Sequence, residues 1–518
     1  MLFDFDKDDF PAGRRFEVCI VGAGAAGLVL AHELTRRGHD VLLVEGGGES
    51  RWERRSQALN RSYIRGNKFA GAHSGRFRAL GGSTSAWAGQ IMEFDELDFS
   101  PREWVEGSGW PIRKSDLQPY YRRAMEIEGV AGQLQEDEAV WASVGLEPPP
   151  LGEDLHMSFS RYTPEKKFAR LFSEMIRGPR LTVVLHANLV TMLPSEDERS
   201  IAELRFRSLK GKEASLNAKY VILCLGGIET SRLLLNQAFC PWNASGFVGR
   251  HFQDHIQCFA GDLKGADLSQ PNWPFGPYRL AEKYLPKVKL TAEAQRKYEV
   301  LNVNGMIEFQ DGVYPTLRTG IKVLGGPAAA VGIGEFLQMA PRAPGAIWHH
   351  FQIKKDPNYA LPWARPKLSV YCEQSPKSES RITLSNKRDK LGLRRANIDW
   401  QISEQELQTI RVYAKVAQEA FARSGAGEVV LDPDLFTDRI VEKCTDQFHH
   451  CGGARMAENA RDGVVDADLR LHGIENAFLC SSAVFPSSGF TNPTHTIIAL
   501  AVRLSDHLDS ALTSGAGR

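Results

Sequence analysis

Phe16 to Val21 (FEVCIV) is a short apolar run leading into Gly22-Ala-Gly24-Ala-Ala-Gly27, and LVLAHELTRRG then follows with apolar residues at helical spacing. That order predicts strand, glycine turn and helix. Gly38 and His39 close the helix, and Val41 to Val44 predicts a second buried strand ending at Glu45. Gly22 permits a tight turn, Gly24 lets backbone approach a pyrophosphate, and Gly27 allows close packing of helix on strand. The helix N-terminus adds free N–H groups and a positive dipole end. Glu45, at about the 20-residue interval from the glycines, is placed to accept hydrogen bonds from an adenosine ribose, and its charge disfavours a 2′-phosphate. The pattern leaves NAD and FAD both open. Its position at residue 22 of 518 leaves a long remainder to wrap one elongated, buried cofactor.

At roughly 150 residues per domain, a chain of 518 residues implies about three structural units. Lys+Arg (63) balances Asp+Glu (63), and no basic block occurs, which argues against a nucleic acid as partner and for a small substrate. The longest apolar runs, such as Ile497 to Val502, fall far short of the ~18 residues of a membrane span. The start, MLFDFDKDDF, is acidic and lacks a basic leader with an apolar stretch, so a cytoplasmic location is expected. The eight cysteines are dispersed without a CxxC pair and read as free thiols.

Further along, Arg78-Ala-Leu-Gly81-Gly82-Ser83-Thr84-Ser85-Ala86-Trp87-Ala88-Gly89 is a second glycine turn, which reads equally as a cofactor contact or an ordinary loop. Trp110 to Glu128 predicts a turn and an amphipathic helix, and Glu147-Pro-Pro-Pro150 a stiff connector, with a boundary near residue 150. Leu181 to His186, Val190 to Leu193 and Ile201 to Arg207 read as strands of a small antiparallel insert that returns to the parallel sheet at Tyr220 to Leu225. The stretch from about 262 to 365 has no clean periodicity. Leu368 to Glu373 and Ser380 to Leu384 predict strands, and Glu404 to Ser424 a long amphipathic helix.

Near the C-terminus, His449-His450-Cys451 precedes Gly452-Gly453, and Phe490-Thr-Asn492-Pro493-Thr494-His495 opens a helical run. As isolated residues, the two histidines read as buried structural groups, and Asn492 as an N-cap beside a proline. Adjacent His, His and Cys do not have a metal-ligand spacing, so no metal is expected. No GxSxG elbow supports a serine hydrolase.

Taken together, GAGAAG with Glu45, RALGGSTSAWAG, GGIETSRLLLN (226 to 236), VGRHFQDH (248 to 255), FHHCGGARM, GVVDADLRLHGIENAFL and VFPSSGFTNPTHTIIALAVRLSDHL resemble the glucose-methanol-choline (GMC) oxidoreductase family. The motifs run from residue 18 to 508 in the family's order. The resemblance implies an α/β fold: a Rossmann-like FAD-binding domain of the GMC/p-hydroxybenzoate hydroxylase type, with a second α+β substrate domain on an antiparallel sheet. We expect residues 1–150, 181–260 and 441–518 in the cofactor domain, and 151–180 and 261–440 in the substrate domain. It also implies alcohol oxidation by hydride transfer to flavin N5. His449 matches the family's base and Asn492 its second catalytic position, holding the substrate oxygen as it gains alkoxide character. His450 is the neighbour, assigned to the substrate side, and His495 reads as packing or capping. Cofactor contacts are expected from Gly22, Gly24, Gly27, Glu45, Gly82, Ser83, Trp87, Ala88, Val190, Ser481, Asn492 and Thr494.

Three positions depart from the wider family. Ala86 stands where some sugar-oxidising members carry the histidine that attaches FAD, so non-covalent FAD is expected. Ser481 replaces a common Asp, and Ala88 replaces a Thr that faces the flavin in some oxidases. The GGSTSAWAGQ turn followed by Asp98 to Pro111 is similar to bacterial, pyranose-oxidase-like members acting on sugars, glycosides, cyclitols or aminosugars. Glu373 and Gln374 are candidate substrate contacts or ordinary sheet residues, and Trp273, Trp348, His349, His350 and Trp363 a candidate lid or sugar platform. Readings kept beside this one are a GMC-fold lyase with structural flavin, oxidation of a non-sugar alcohol such as a sterol, a flavoprotein without turnover and an NAD-dependent dehydrogenase. O2, a quinone or a carrier protein would take the electrons, and self-association is left open.

Overall fold

The computed structural model describes residues 1–11, 13–265, 274–275, 278–279, 283–310 and 365–515. Trp273, Trp348, His349, His350 and Trp363, expected as a lid or platform, lie outside the described residues. Phe16–Val21, almost wholly buried, pairs in parallel with Val41–Val44 on one side and Ala218–Leu223 on the other. Ala477–Leu479 extends one edge of this six-stranded sheet, and Leu181–Leu185 followed by Leu2–Asp4 extends the other.

Two strands here differ from the sequence reading. Leu2–Asp4, inside the acidic lead-in, is an edge strand pairing with Leu181–Leu185. Leu181–Leu185 itself belongs to the parallel sheet, and the antiparallel insert is Asn188–Pro194, Ile201–Arg207 and Glu213–Leu216. Burial gives the reason: all of Leu181–Leu185 is buried, as in a strand covered on both faces, whereas Ile201–Arg207 buries only Ile201, Leu204 and Phe206. Helices Ala25–Arg36 and Thr494–Gly515 pack against each other, with Lys114–Glu128 on the latter.

The second sheet is antiparallel and runs Glu428–Leu431, Ile256–Lys264, Arg365–Cys372, Val303–Gln310, Lys283–Leu290, Leu155–Tyr162, Gln90–Ile91. Period-two alternation divides its faces. Cys258, Val288, Val370 and Cys372 turn toward helix Glu404–Ser424, which begins at a Ser403/Glu406 capping box and ends at left-handed Gly425. Tyr413 of that helix donates to the Val288 carbonyl at 2.7 Å, and a Cβ on Gly305 would lie 2.4 Å from its hydroxyl. The opposite face, carrying Gln257, Asn304, Met306, Ser369 and Tyr371 in register, looks toward the parallel-sheet unit.

The two apolar cores draw on interleaved stretches. Gln90–Ile91 and Asp137–Val144, from the first stretch assigned to the cofactor side, contribute to the antiparallel unit. Residues 151–180 divide: Leu155–Tyr162 joins the antiparallel sheet, while Phe168, Phe172 and Ile176 pack into the parallel-sheet core. A short helix has to bury its apolar face against whichever sheet it reaches, and here that is the parallel one. Among the described residues no helix is long and apolar enough to cross a membrane.

Candidate active site

Between the two sheets lies a cavity of about 530 Å³. One end is a cradle of glycine backbone. Gly22 has φ +107, and a Cβ there would lie 2.4 Å from the Cys224 carbonyl oxygen; one on Gly27 would lie 1.9 Å from the Gly22 oxygen. Both positions exclude side chains by packing. Gly24 is different, because an added Cβ would meet no protein atom within 4 Å. It borders the cavity and precedes helix Ala25–Arg36, whose N-terminus no side chain caps. Free N–H groups facing open space form an anion site suited to a pyrophosphate. The second glycine turn closes over the first: Gly81 N–H donates to the Ala23 carbonyl at 2.9 Å, and Gly82 borders the cavity against Gly24.

Glu45 lies at the carboxyl end of its strand, buried but bordering the cavity, where it accepts from Ala23 N–H at 3.0 Å and Gly47 N–H at 2.9 Å. Burial raises its pKa against the pull of those N–H donors and Arg78. Ser83, Trp87, Ala88, Ser481, Asn492 and Thr494 also border the cavity. Val190 does not: Asn188 and Leu189 line that stretch, and the next residue of the strand turns its side chain into the core. A glycine cradle, an open helix N-terminus and a ribose-facing carboxylate in one elongated cavity fit FAD.

At the other end stand the groups that can move a proton. Asn492 does not cap the last helix with its side chain; its Nδ2 donates to His449 Nε2 at 2.9 Å. His449 Nδ1 is 2.8 Å from His255 Nδ1, and His255 Nε2 is 3.3 Å from the Ser488 carbonyl oxygen. These partners assign the tautomers. A carbonyl only accepts, so His255 carries its proton on Nε2. Its Nδ1 then accepts from His449 Nδ1–H, leaving the Nε2 lone pair of His449 toward Asn492 and the cavity. Burial holds His255 down to about 4 and drives His449 well below the ordinary histidine value, with His255, His450 and Lys287 adding to the latter. Both rings are neutral at neutral pH.

Backbone geometry at this pair is fixed by Asp254. Its Oδ1 accepts from the N–H groups of His255 at 2.7 Å, His449 at 2.9 Å and Gln447 at 3.1 Å. Among the described residues its Oδ2 has no hydrogen bond and lies 3.8 Å from His450 Nε2, which also has none. Burial, then repulsion from Asp446, raises the Asp254 pKa well above the usual carboxylate range. His450, expected to face substrate, borders the cavity, but its ring packs with Phe69 and Phe252 and points toward Asp254. His495 forms a buried pair with Glu128 at 2.6 Å and stacks on Tyr121.

Two expected substrate contacts are committed elsewhere. Alternation would turn Glu373 to the same face as Tyr371, but the strand ends at Cys372. The Glu373 carboxylate takes both Arg102 terminal nitrogens, at 2.6 and 2.7 Å, and both side chains are fully buried. Gln374 accepts from Asp254 N–H and Trp400 Nε1 and donates to the Gln401 carbonyl. The sheet instead offers the cavity Lys287, Asn304, Met306 and Tyr371, with Gln447 beside them. Lys287 was hidden by Pro286, which counts against a strand in sequence. The strand tolerates that proline because at this point it is paired only with Leu155–Tyr162, its bonds to Val303–Gln310 beginning at Val288. His255 lay inside the VGRHFQDH motif, and only its contact with His449 singles it out.

Comparison with known proteins agrees with this geometry. Residues 15–257 match the FAD binding domain family, and residues 376–501 match the family described as GMC oxidoreductase. The chain belongs to the GMC oxidoreductases. These are FAD enzymes acting on CH–OH donors. This GMC chain is 24% identical to the 6'''-hydroxyparomomycin C oxidase of Streptomyces lividus, over 97% of this chain and 93% of that one. It is 22% identical to the fructose dehydrogenase large subunit of Gluconobacter japonicus, over 96% and 98%. Among solved structures, pyridoxine 4-oxidase from Mesorbium loti superposes with a TM-score of 0.56 at 19% identity, covering 95% of this chain and 99% of that one, a likeness of fold.

Proposed function

We propose that this chain oxidises a CH–OH group of a sugar, glycoside, cyclitol or aminosugar, with His449 as base and Asn492 holding the substrate oxygen. The observation that carries the reading is the His449 Nε2 lone pair, 2.9 Å from the Asn492 amide, at the junction of the glycine cradle and the polar sheet face. Similarity to an aminoglycoside oxidase and a fructose dehydrogenase supports the substrate class. Gly24 and the helix N-terminus would hold the pyrophosphate of FAD and Glu45 its ribose, with Gly82, Ser83, Trp87, Ala88, Ser481 and Thr494 along the cavity. FAD, when bound, supplies the hydride acceptor. Ala86 borders the cavity and offers no nucleophile, which supports non-covalent attachment.

The chain's own part is proton chemistry. His449 Nε2, held unprotonated by the His255 relay, takes the hydroxyl proton. The Asn492 Nδ2–H, which holds that lone pair in the free site, stays beside it to stabilise developing negative charge on oxygen. His449→Ala should keep FAD and lose at least ~10²-fold in the rate of anaerobic flavin bleaching by a reactive sugar or glycoside. Near wild-type bleaching in that variant would overturn the assignment. Recovery of the spectrum on admitting air would distinguish an oxidase from a dehydrogenase.

A further inference from the structure

Lys287 is 6% exposed, and it lies on the face of the antiparallel sheet that borders the cavity. Among the described residues its Nζ reaches only the Met306 thioether sulfur at 3.4 Å, and it lies 5.2 Å from the centre of the Tyr371 ring. Neither is a counterion. Glu308, whose charge acts on Lys287, is engaged by the Tyr371 hydroxyl and by Gln257 Nε2 at 3.2 Å, and among the described residues no carboxylate ion-pairs with Lys287. Asn304, on the neighbouring strand, is 1% exposed and also borders the cavity, and among the described residues neither its Nδ2 nor its Oδ1 has a hydrogen-bond partner.

A buried ammonium without a contacting counterion and a buried amide without partners are costly to maintain unless something else satisfies them. Burial already draws the lysine down to about 8, so that it still carries its charge at neutral pH. The remainder of the lining narrows the choice of partner. Among the described residues the only carboxylates bordering the cavity are Glu45, in the glycine cradle, and Glu229, which is neutralised by Arg78 at 2.6 Å and Arg232 at 2.9 Å. Among the described residues, no carboxylate of the sheet face borders the cavity to neutralise an ammonium group on a substrate, since Glu308 is tied to Tyr371 and Gln257, and Lys287 would repel it.

We propose that Lys287 and Asn304 together bind a carboxylate carried by the substrate, so that the alcohol oxidised belongs to an acidic sugar such as a uronate. This rests on the reading that His449 and Asn492 oxidise a sugar-like alcohol, and it narrows that class away from aminosugars. Lys287 supplies the charge and the Asn304 Nδ2–H a directional donor. A charge-assisted contact of this kind in a buried site changes affinity about 10- to 100-fold.

The test separates binding from turnover. Calorimetric titration of the holoenzyme with tetrahydropyran-2-carboxylate and with its uncharged carboxamide, neither bearing a hydroxyl, should give at least about 10-fold tighter binding of the acid. That preference should vanish in Lys287→Met and survive in Lys287→Arg, with flavin content reporting that each variant folds. Equal binding of acid and amide by the wild-type protein, no binding of either, or a preference that persists in Lys287→Met would overturn the proposal. Anaerobic flavin bleaching by glucuronate, glucose and glucosamine then tests turnover: the acid should show the lowest half-saturating concentration, and Lys287→Met should raise it for the acid alone. A loss that is equal on acid and neutral sugars would assign Lys287 to the base or the cofactor and overturn its recognition role. Selective acid binding with no bleaching by any sugar would sink the oxidation reading and leave carboxylate recognition standing.

Discussion

Substituting His255 tests whether its ring sets the state of the base. In His255→Leu the volume is roughly kept, but His449 Nδ1–H loses its acceptor at 2.8 Å. The ring must then leave a buried N–H unpaired, at about 1–3 kcal/mol, or move its proton to Nε2 and lose the lone pair that faces the cavity. At about 1.4 kcal/mol per tenfold change in rate, flavin bleaching should slow about 5- to 150-fold. His255→Asn restores an acceptor near the Nδ1 position and should recover most of the loss. Stopped-flow reduction of the wild-type and both variant holoenzymes measures the loss and its recovery. A Leu variant as fast as wild type would refute the relay.

Gly24→Ala should leave the apo fold as stable as wild type, since its Cβ meets no protein atom within 4 Å, yet release flavin; thermal unfolding of the apoprotein and flavin content after purification check the two halves. Arg102→Met leaves the Glu373 carboxylate buried without its partner and should cost about 3–5 kcal/mol in denaturant unfolding, much of it recovered by adding Glu373→Gln. For Asp254→Asn the sign follows from a folded pKa raised by burial and Asp446. The carboxyl's contribution to stability is full below its unfolded value, near ~3.9, and is lost as pH rises through the folded one, so the Asn variant should gain on wild type as pH increases, read from denaturation midpoints at several pH values.

The fold was legible where chemistry and local pattern coincide in a short span. Phe16–Val21, its glycine turn and Ala25–Arg36 are one continuous stretch, and each glycine has a local reason. Helix Glu404–Ser424 announces itself by its capping box and its period. Leu2–Asp4 was not legible, because three residues carry too little pattern and the strand exists only through its pairing with residues 183–185. Residues 283–290 were masked by Pro286, whose cost depends on whether that edge is paired, a tertiary fact.

The same contrast runs through the site. His449, Asn492 and His255 are carried on loops whose order along the chain forms recognisable motifs, and the bonds among these side chains do the proton work. Lys287, Asn304 and Tyr371 come from three strands, and they meet only because register places them on one face. No stretch of sequence contains two of them. Glu373 looked like their companion from one strand alone, yet the end of that strand delivers it to Arg102. Among the described residues, Lys287 and Asn304 make no hydrogen bond to His449, Asn492 or His255, so substitutions there keep the bonds of the relay, and losing the Lys287 charge removes only one of the influences that lower the two histidines. The reaction and the choice of substrate are therefore held by separate layers, one built from loops and the other from a sheet face. That separation is why motifs can name the chemistry while the substrate has to be read from which side of each strand faces the cavity.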